Sequence, residues 1–262
     1  MDTQHHLENS LRSLRLPGML ESLERRQKEA TEGKLGYLEF LSLLVQDERS
    51  QRNHNQFRKL LRQANFGNEK TFETFDFSFN AQAFPQSQLK DLRTCQFIDM
   101  GQNIVIAGPP GIGKTHIAKA IGHEVCRSRR HALYYNVYEM FKDLQSARTH
   151  THYERLLTRI LRMDLLIFDD FALRKFEVKE VEALYAIIDS REGSKSVILT
   201  SNRPVEDWLG VFPDPVIGGA ILDRLVSGAV KIVVGKAKSY RKEGKAKDKV
   251  ENTTEKNTKS KR

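Results

Sequence analysis

Apolar and polar positions divide the chain into a helical front, an aromatic connector, an alternating α/β region and a polar tail. In the front, Leu7, Leu11 and Leu14 recur at helical spacing until Pro17-Gly18 breaks the run. Met19, Leu20 and Leu23 open a second, polar-faced helix. Gly33 and Gly36 frame a turn, and Tyr37, Phe40, Leu41, Leu44, Val45 and Glu48 then begin a third helix that continues through Phe57, Leu60 and Leu61. Residues 1–65 are therefore expected to form a small helical interaction domain, too small for a deep catalytic pocket.

The stretch from 66 to 84 holds six of the chain's 14 phenylalanines: Phe66, Phe72, Phe75, Phe77, Phe79 and Phe84. Disordered linkers are poor in aromatics, so 66–85 is expected to be a packed connector covering the neighbouring core. A part in adenine binding is the alternative, for which the composition gives no support. From about 86 the pattern becomes α/β, with short apolar strands expected at 103–107, 132–137, 165–169, 196–200 and 231–234. Helical stretches separate them, which indicates a parallel sheet covered on both faces. The α/β region is expected to run from 86 to 242, and a disordered basic tail from 243 to 262.

Composition narrows the class. No apolar run approaches the roughly 18 residues that cross a bilayer, and Met1-Asp2-Thr3-Gln4-His5-His6 has no leader-like apolar core. A cytoplasmic protein is expected. Cys95 and Cys126 form no CxxC pair, so neither a disulfide scaffold nor a zinc site is expected. The net charge of +9 points toward nucleic acid. Its distribution weakens that pointer, because residues 231–262 carry 12 Lys and Arg against four acids, a net of +8.

The chemistry lies in the α/β region. Gly108-Pro109-Pro110-Gly111-Ile112-Gly113-Lys114-Thr115 fits the phosphate-loop pattern GxxxxGK[ST] at every fixed position. A strand precedes it, and a helix carrying Ile117, Ile121 and Val125 follows it. Loop amides and the helix N-terminus converge on phosphate oxygens. Lys114 is placed to bridge the β- and γ-phosphates and Thr115 to ligate Mg²⁺. Leu165-Leu166-Ile167-Phe168-Asp169-Asp170 is an apolar strand ending in two acids. Asp169 is the Mg²⁺ candidate, and Asp170 the group that orients or deprotonates water. Asn202, in Ser201-Asn202-Arg203-Pro204, would face the γ-phosphate if its strand lies between the other two. Arg224, beside Asp223 in an apolar helix, is either a surface residue paired with Asp223 or a charge offered to another subunit. The segment 136–163 carries Lys142, Arg148, His150, His152, Arg155, Arg159 and Arg162. Its basic groups would give salt-sensitive, sequence-independent contacts to DNA phosphates. Each could equally belong to a solvated face.

Phosphate loop, LLIFDD strand, SNRP tip, DRL helix and Ser239-Tyr240-Arg241 occur together and in order, so the chain resembles AAA+ ATPases of the IstB/DnaC group. Leu16-Pro17-Gly18-Met19, Glu48-Arg49 and the run Lys70–Phe77 resemble the IstB-like helper ATPases of insertion sequences. The resemblance spans roughly residues 7–242. It implies an AAA+ P-loop three-layer fold with a five-stranded parallel sheet behind a small helical N-terminal domain. ATP and Mg²⁺ are the implied cofactors, with residues 108–115 as the nucleotide loop and Asp169 and Asp170 as the Walker B acids. Most AAA+ proteins carry Glu where Asp170 stands. Asn202 would be sensor 1, Arg224 an arginine finger acting in trans, and Arg241 sensor 2. The implied activity is ATP-dependent oligomerisation on duplex DNA that recruits and stimulates a transposase. A DnaC-type replicative helicase loader is the nearest alternative.

Overall fold

The computed structural model describes residues 3–67, 70–79, 83–147, 151–235 and 237–240. The chain forms two compact units that divide between Lys59 and Leu60.

The first unit is built on α1 (Thr3–Ser13), α2 (Pro17–Gly33) and most of α3 (Tyr37–Gln63). Leu11, Leu23 and Leu44 form its small core, flanked by Leu16, Met19, Leu20 and Phe40. The Leu16-Pro17-Gly18-Met19 run has a packing reason. Pro17 opens α2, where its missing N–H costs nothing. Gly18 sits so close to α3 that a Cβ there would lie 2.7 Å from the Glu48 Cα. The buried Glu48 carboxylate accepts hydrogen bonds from the Gly18 and Met19 amides at 2.7 and 3.3 Å. It thereby satisfies two donors that the start of any helix leaves open and puts negative charge at the helix N-terminus. Beside it, Asp47 receives Arg26 in a two-pronged pair at 2.8 Å each.

The unit boundary falls earlier than the expected 65/66, and the contacts explain why. Leu60, Ala64 and Phe66 are buried, and the Tyr134 amide donates to the Ala64 carbonyl at 2.8 Å. The last turn of α3 therefore packs as part of the second unit.

In that unit, α4 (Gln86–Arg93) and α5 (Gln96–Asp99) precede β1 (Ile104–Ala107), α6 (Lys114–Arg127), β2 (Ala132–Asn136), α7 (Val137–Ser146) and α8 (Thr151–Arg162). β3 (Leu165–Asp169), α9 (Val178–Asp189), β4 (Ser196–Ser201), α10 (Pro215–Val226) and β5 (Val230–Val233) follow. The five strands pair in the order β2-β3-β4-β1-β5, all parallel. β4 thus lies between β1 and β3, the arrangement on which the placing of Asn202 depended. Every residue of β1, β3 and β4 is buried, as a parallel sheet between two helical layers requires. Leu133, Leu166, Phe168, Val197 and Leu199 face a core shared with α7, α9 and α10. The alternate residues pack toward α6, which carries Ile117, Ile121 and Val125 at no exposure.

Arg191 is a buried charge that the pattern does not announce. It is 1% exposed and donates to the Met163, Asp164 and Ser196 carbonyls at 2.9, 3.3 and 2.8 Å. Burial pushes its pKa down to about 10. The cation fastens the end of α8 to the start of β4. Among the described residues no helix is long and apolar enough to cross a membrane.

Candidate active site

The C-terminal ends of β1, β3 and β4 converge on one cavity of about 520 Å³. The phosphate loop forms its floor. Gly113, the residue before α6, has a φ of 106° and offers no capping side chain, so the first amides of α6 remain available to an anion. A Cβ on Gly113 would meet Phe75 Cε2 at 2.6 Å. Glycine is needed here for both the backbone angle and the close approach of that ring.

Lys114 is 6% exposed, and its ammonium donates to the Gly108 and Pro109 carbonyls at 2.9 and 2.8 Å and to Asn202 Oδ1 at 2.6 Å. Asn202 in turn donates from Nδ2 to Asp170 Oδ1 at 3.4 Å. Asp170 adopts the left-handed region with φ 58°, which Asp tolerates better than most residues. Its other oxygen accepts from Asn136 Nδ2 at 3.1 Å. Asn136 also caps α7 through its Oδ1, which accepts from the Tyr138 amide at 3.1 Å.

Asp169, at the end of β3, is 6% exposed. Its Oδ1 accepts from the hydroxyls of Thr115, at 2.9 Å, and Thr200. Its Oδ2 accepts from the Tyr134 hydroxyl at 2.6 Å. Burial, then the facing Asp169 carboxylate, pushes the Tyr134 pKa up, so the phenol stays the donor. A hydroxyl and a carboxylate side by side are the hard oxygen donors that Mg²⁺ takes, completed by phosphates and water. Among the described residues no three His, Cys, Asp or Glu side chains gather into a metal cage. An ion held chiefly by Thr115, Asp169 and phosphate oxygens needs none.

The aromatic connector contributes more than cover. Phe66, Phe72 and Phe84 are buried as a strap would be, but Phe75 and Phe79 line the same cavity as the loop, together with Tyr240. Phe79 and Tyr240 meet edge to face with centroids 4.9 Å apart. The Tyr240 amide donates to the Gly111 carbonyl at 3.0 Å. His116 Nε2, on α6, lies 2.8 Å from the Thr71 carbonyl, and burial lowers its pKa. The connector is therefore fixed to the loop helix. Arg241 lies outside the described residues.

Arg224 is elsewhere. It stands on α10 and donates to Glu192 at 2.7 Å, to Asp189 at 3.2 Å and to the Ala220 carbonyl at 3.1 Å. Tyr185 lies beneath its guanidinium. The expected surface partner Asp223 is not used, because consecutive residues of a helix do not face each other. With Gly101, Asn103 and Gly193, Arg224 lines a second cavity at the N-terminal ends of β1 and β4. Strands of four and six residues put about 13–20 Å between that end and the phosphate loop.

The basic segment divides into α7 and α8. Lys142, Arg155, Arg159 and Arg162 are exposed. Arg155, Arg159 and Arg162 share one side of α8 and line an open cleft with His131 and Glu154. Ile160 faces the core on the opposite side. Arg159 also donates to the Gln63 carbonyl at 2.8 Å. Arg148 and His150 lie outside the described residues.

Tyr134, Asn136 and the cavity-lining phenylalanines were not assigned to the site from sequence. Only the density of Phe between 66 and 84 signalled the connector's part. Tyr134 and Asn136 carry no motif and become visible once β2 is paired in register with β3.

Residues 9–248 match the model of the IstB-like ATP-binding protein family. An insertion-sequence ATP-binding protein of Mycobacterium tuberculosis is 36% identical over 90% of this chain and 93% of its own. The IS21 ATP-binding protein of Pseudomonas aeruginosa is 31% identical over 93% and 91%, respectively. Among solved structures, DnaI superposes with a TM-score of 0.54 at 21% identity, over 68% of this chain and 93% of DnaI. AMPPCP-bound DnaA from Aquifex aeolicus gives 0.53 at 20% identity, over 68% and 53%. These two likenesses concern the fold alone, the parallel five-stranded sheet between helical layers described above. With the phosphate loop, paired acids and sheet order all in place, the chain belongs to the IstB-like ATP-binding family of insertion sequences.

Proposed function

We propose that this protein is an ATP-hydrolysing transposition helper. Its subunits bind ATP with Mg²⁺, oligomerise on duplex DNA, select or remodel the target, and recruit and stimulate the transposase of the element. The observation that carries this reading is the Asn202 side chain, which joins the Lys114 ammonium to the Asp170 carboxylate through one amide. A γ-phosphate drawn to Lys114 would lie beside the two groups suited to hold a water in line with it.

In this reading the loop amides and Lys114 hold the phosphate chain. Thr115 and Asp169 hold Mg²⁺, which when bound neutralises charge on the β- and γ-oxygens. Asp170 orients the attacking water and takes its proton, with Asn136 and Asn202 fixing the carboxylate from either side. Phe75, Phe79 and Tyr240 offer apolar faces for the base. Arg224 stands a strand's length from its own phosphate loop, which supports action on a neighbour's nucleotide. To act there it must leave Glu192 and Asp189. Lys142, Arg155 and Arg159 supply sequence-independent contacts to DNA phosphates.

The test is assembly on a duplex followed by sedimentation with ATP, with ADP and with the Lys114→Ala protein. Large complexes are expected with ATP and the unaltered chain alone; assembly indifferent to nucleotide would refute the mechanism. Pull-down from the ATP-bound state should retain the element's transposase. Retention of a hexameric replicative helicase instead would make the protein a loader.

A further inference from the structure

The proposed roles leave Tyr134 without a part, although among the described residues its hydroxyl is one of three donors to the Asp169 carboxylate. β2 pairs with β3 so that Tyr134 stands opposite Ile167 and Asn136 opposite Asp169. Residues 134 and 136 therefore share a face, toward α6. Asn136 reaches Asp170 from there, while the longer tyrosine reaches forward along the strand to Asp169, with 2.6 Å between the oxygens.

Tyr134 is itself held at several points. Its amide donates to the Ala64 carbonyl at 2.8 Å, and its carbonyl accepts from Asn65 Nδ2 at 3.2 Å. Its ring lies 3.7 Å from the Lys119 ammonium, which also donates to the Phe66 carbonyl. A carboxylate offers about four lone-pair sites. Thr115 and Thr200 occupy Oδ1, and Tyr134 occupies one site on Oδ2. A hydroxyl that donates its proton to Asp169 still has oxygen lone pairs for an ion, so Thr115 can serve both.

We propose that Tyr134 is a positioning residue of the metal site, its hydroxyl locking the Asp169 carboxylate in the orientation that receives Mg²⁺. The inference rests on the reading of Asp169 as the Mg²⁺ carboxylate. Groups that orient a metal-binding side chain from behind are commonly worth 10-fold or more in metal affinity, and rigid support is what lets a first contact form without reorganisation.

The experiment compares Tyr134→Phe with wild type in the full chain. That variant removes one oxygen and keeps the ring against Lys119. Affinity for a fluorescent ATP analogue is measured in EDTA, and Mn²⁺ affinity of the nucleotide-bound protein is measured by electron paramagnetic resonance. Tyr134→Phe is expected to leave the EDTA affinity within about twofold of wild type, while Mn²⁺ binding weakens about 10-fold. A purely structural role would lower both together, and that result overturns the proposal, as does Mn²⁺ binding within twofold of wild type. Asp169→Asn separates the two levels of the argument. If it leaves Mn²⁺ binding intact, the Mg²⁺ reading of Asp169 falls and the proposal with it. If it weakens Mn²⁺ binding while Tyr134→Phe does not, only the role of Tyr134 is refuted.

Discussion

Placing Ala at position 113 tests how the aromatic connector and the phosphate loop are built together. Gly113 holds φ 106°, and a side chain in left-handed backbone costs about 1–2 kcal/mol. The new methyl would also lie 2.6 Å from Phe75 Cε2, well inside van der Waals contact. Phe75 cannot retreat freely, since its ring meets Phe77, Phe84 and His116 edge to face at 4.8, 5.6 and 5.1 Å. Such overpacking adds about 1–3 kcal/mol, so Gly113→Ala should cost roughly 2–5 kcal/mol in all. Phe75→Ala, at a half-buried ring, should cost about 2 kcal/mol, near half the loss for a fully buried Phe. In the double variant the methyl has no ring to strike. The combined loss should therefore fall short of the sum by the overpacking part, about 1–3 kcal/mol. Urea denaturation of the nucleotide-free chain reads this directly. The one tryptophan, Trp208, is fully buried in the second unit, so its fluorescence follows the unit in question. Both single variants should also bind ATP more weakly, because Phe75 lines the cavity. Additivity within about 0.5 kcal/mol would show that Phe75 does not rest on the loop, and would remove the connector from the site.

Arg224→Ala should bind ATP normally and lose about 10³-fold or more in turnover. Mixing it with Asp170→Asn, which keeps the nucleotide-holding Lys114 but loses the water-orienting carboxylate, should restore activity at about one subunit contact in four, where an intact site meets an intact arginine; no restoration on mixing would return Arg224 to its pair with Glu192. Arg155→Ala should lower the slope of log affinity for duplex DNA against log salt by roughly 0.9, whereas an unchanged slope would make Arg155 part of a solvated face. In the N-terminal unit, the Arg26 guanidinium holds the Asp47 pKa down at about 2. Burial works against the charge of Glu48, but Arg52 and the Met19 and Gly18 amides outweigh it and keep its pKa low. Both folded values lie below the unfolded ones, so the stability they contribute is whole above about pH 5 and is lost as pH falls through the folded values, for Asp47 about 2. The destabilisation caused by Glu48→Gln at pH 7, followed by far-ultraviolet circular dichroism, should accordingly shrink at pH 3. A constant difference would show that the carboxylate charge does not matter there.

The motif-bearing part of the site was legible because its residues are local. Eight consecutive positions carry the loop, and two adjacent acids end a strand. Strand periodicity likewise exposed the α/β alternation, since a sheet covered on both faces needs apolar runs of the kind at 165–168. Pairing across strands was not legible. Tyr134 reaches Asp169, and Asn136 reaches Asp170, only because β2 and β3 lie side by side in one register, and no spacing along the chain encodes that. The end of the helical front and the edge of the first compact unit differ for a related reason. Residues 60–66 continue the helix and its approach without a break in pattern, yet Ala64 is tied by a hydrogen bond to Tyr134, far along the chain. Arg224 shows the limit of periodicity most plainly. Its helix could be drawn from sequence, but its partners Asp189 and Glu192 come from the end of α9 and the turn beyond it.

Steady-state ATP turnover, measured with and without duplex DNA, bears most directly on the account. Turnover should rise on adding DNA, vanish in Lys114→Ala and fall to background in Arg224→Ala even with DNA present. Equal turnover with and without DNA, retained in full by Arg224→Ala, would describe a phosphotransferase that works as a single subunit and would contradict the proposed helper.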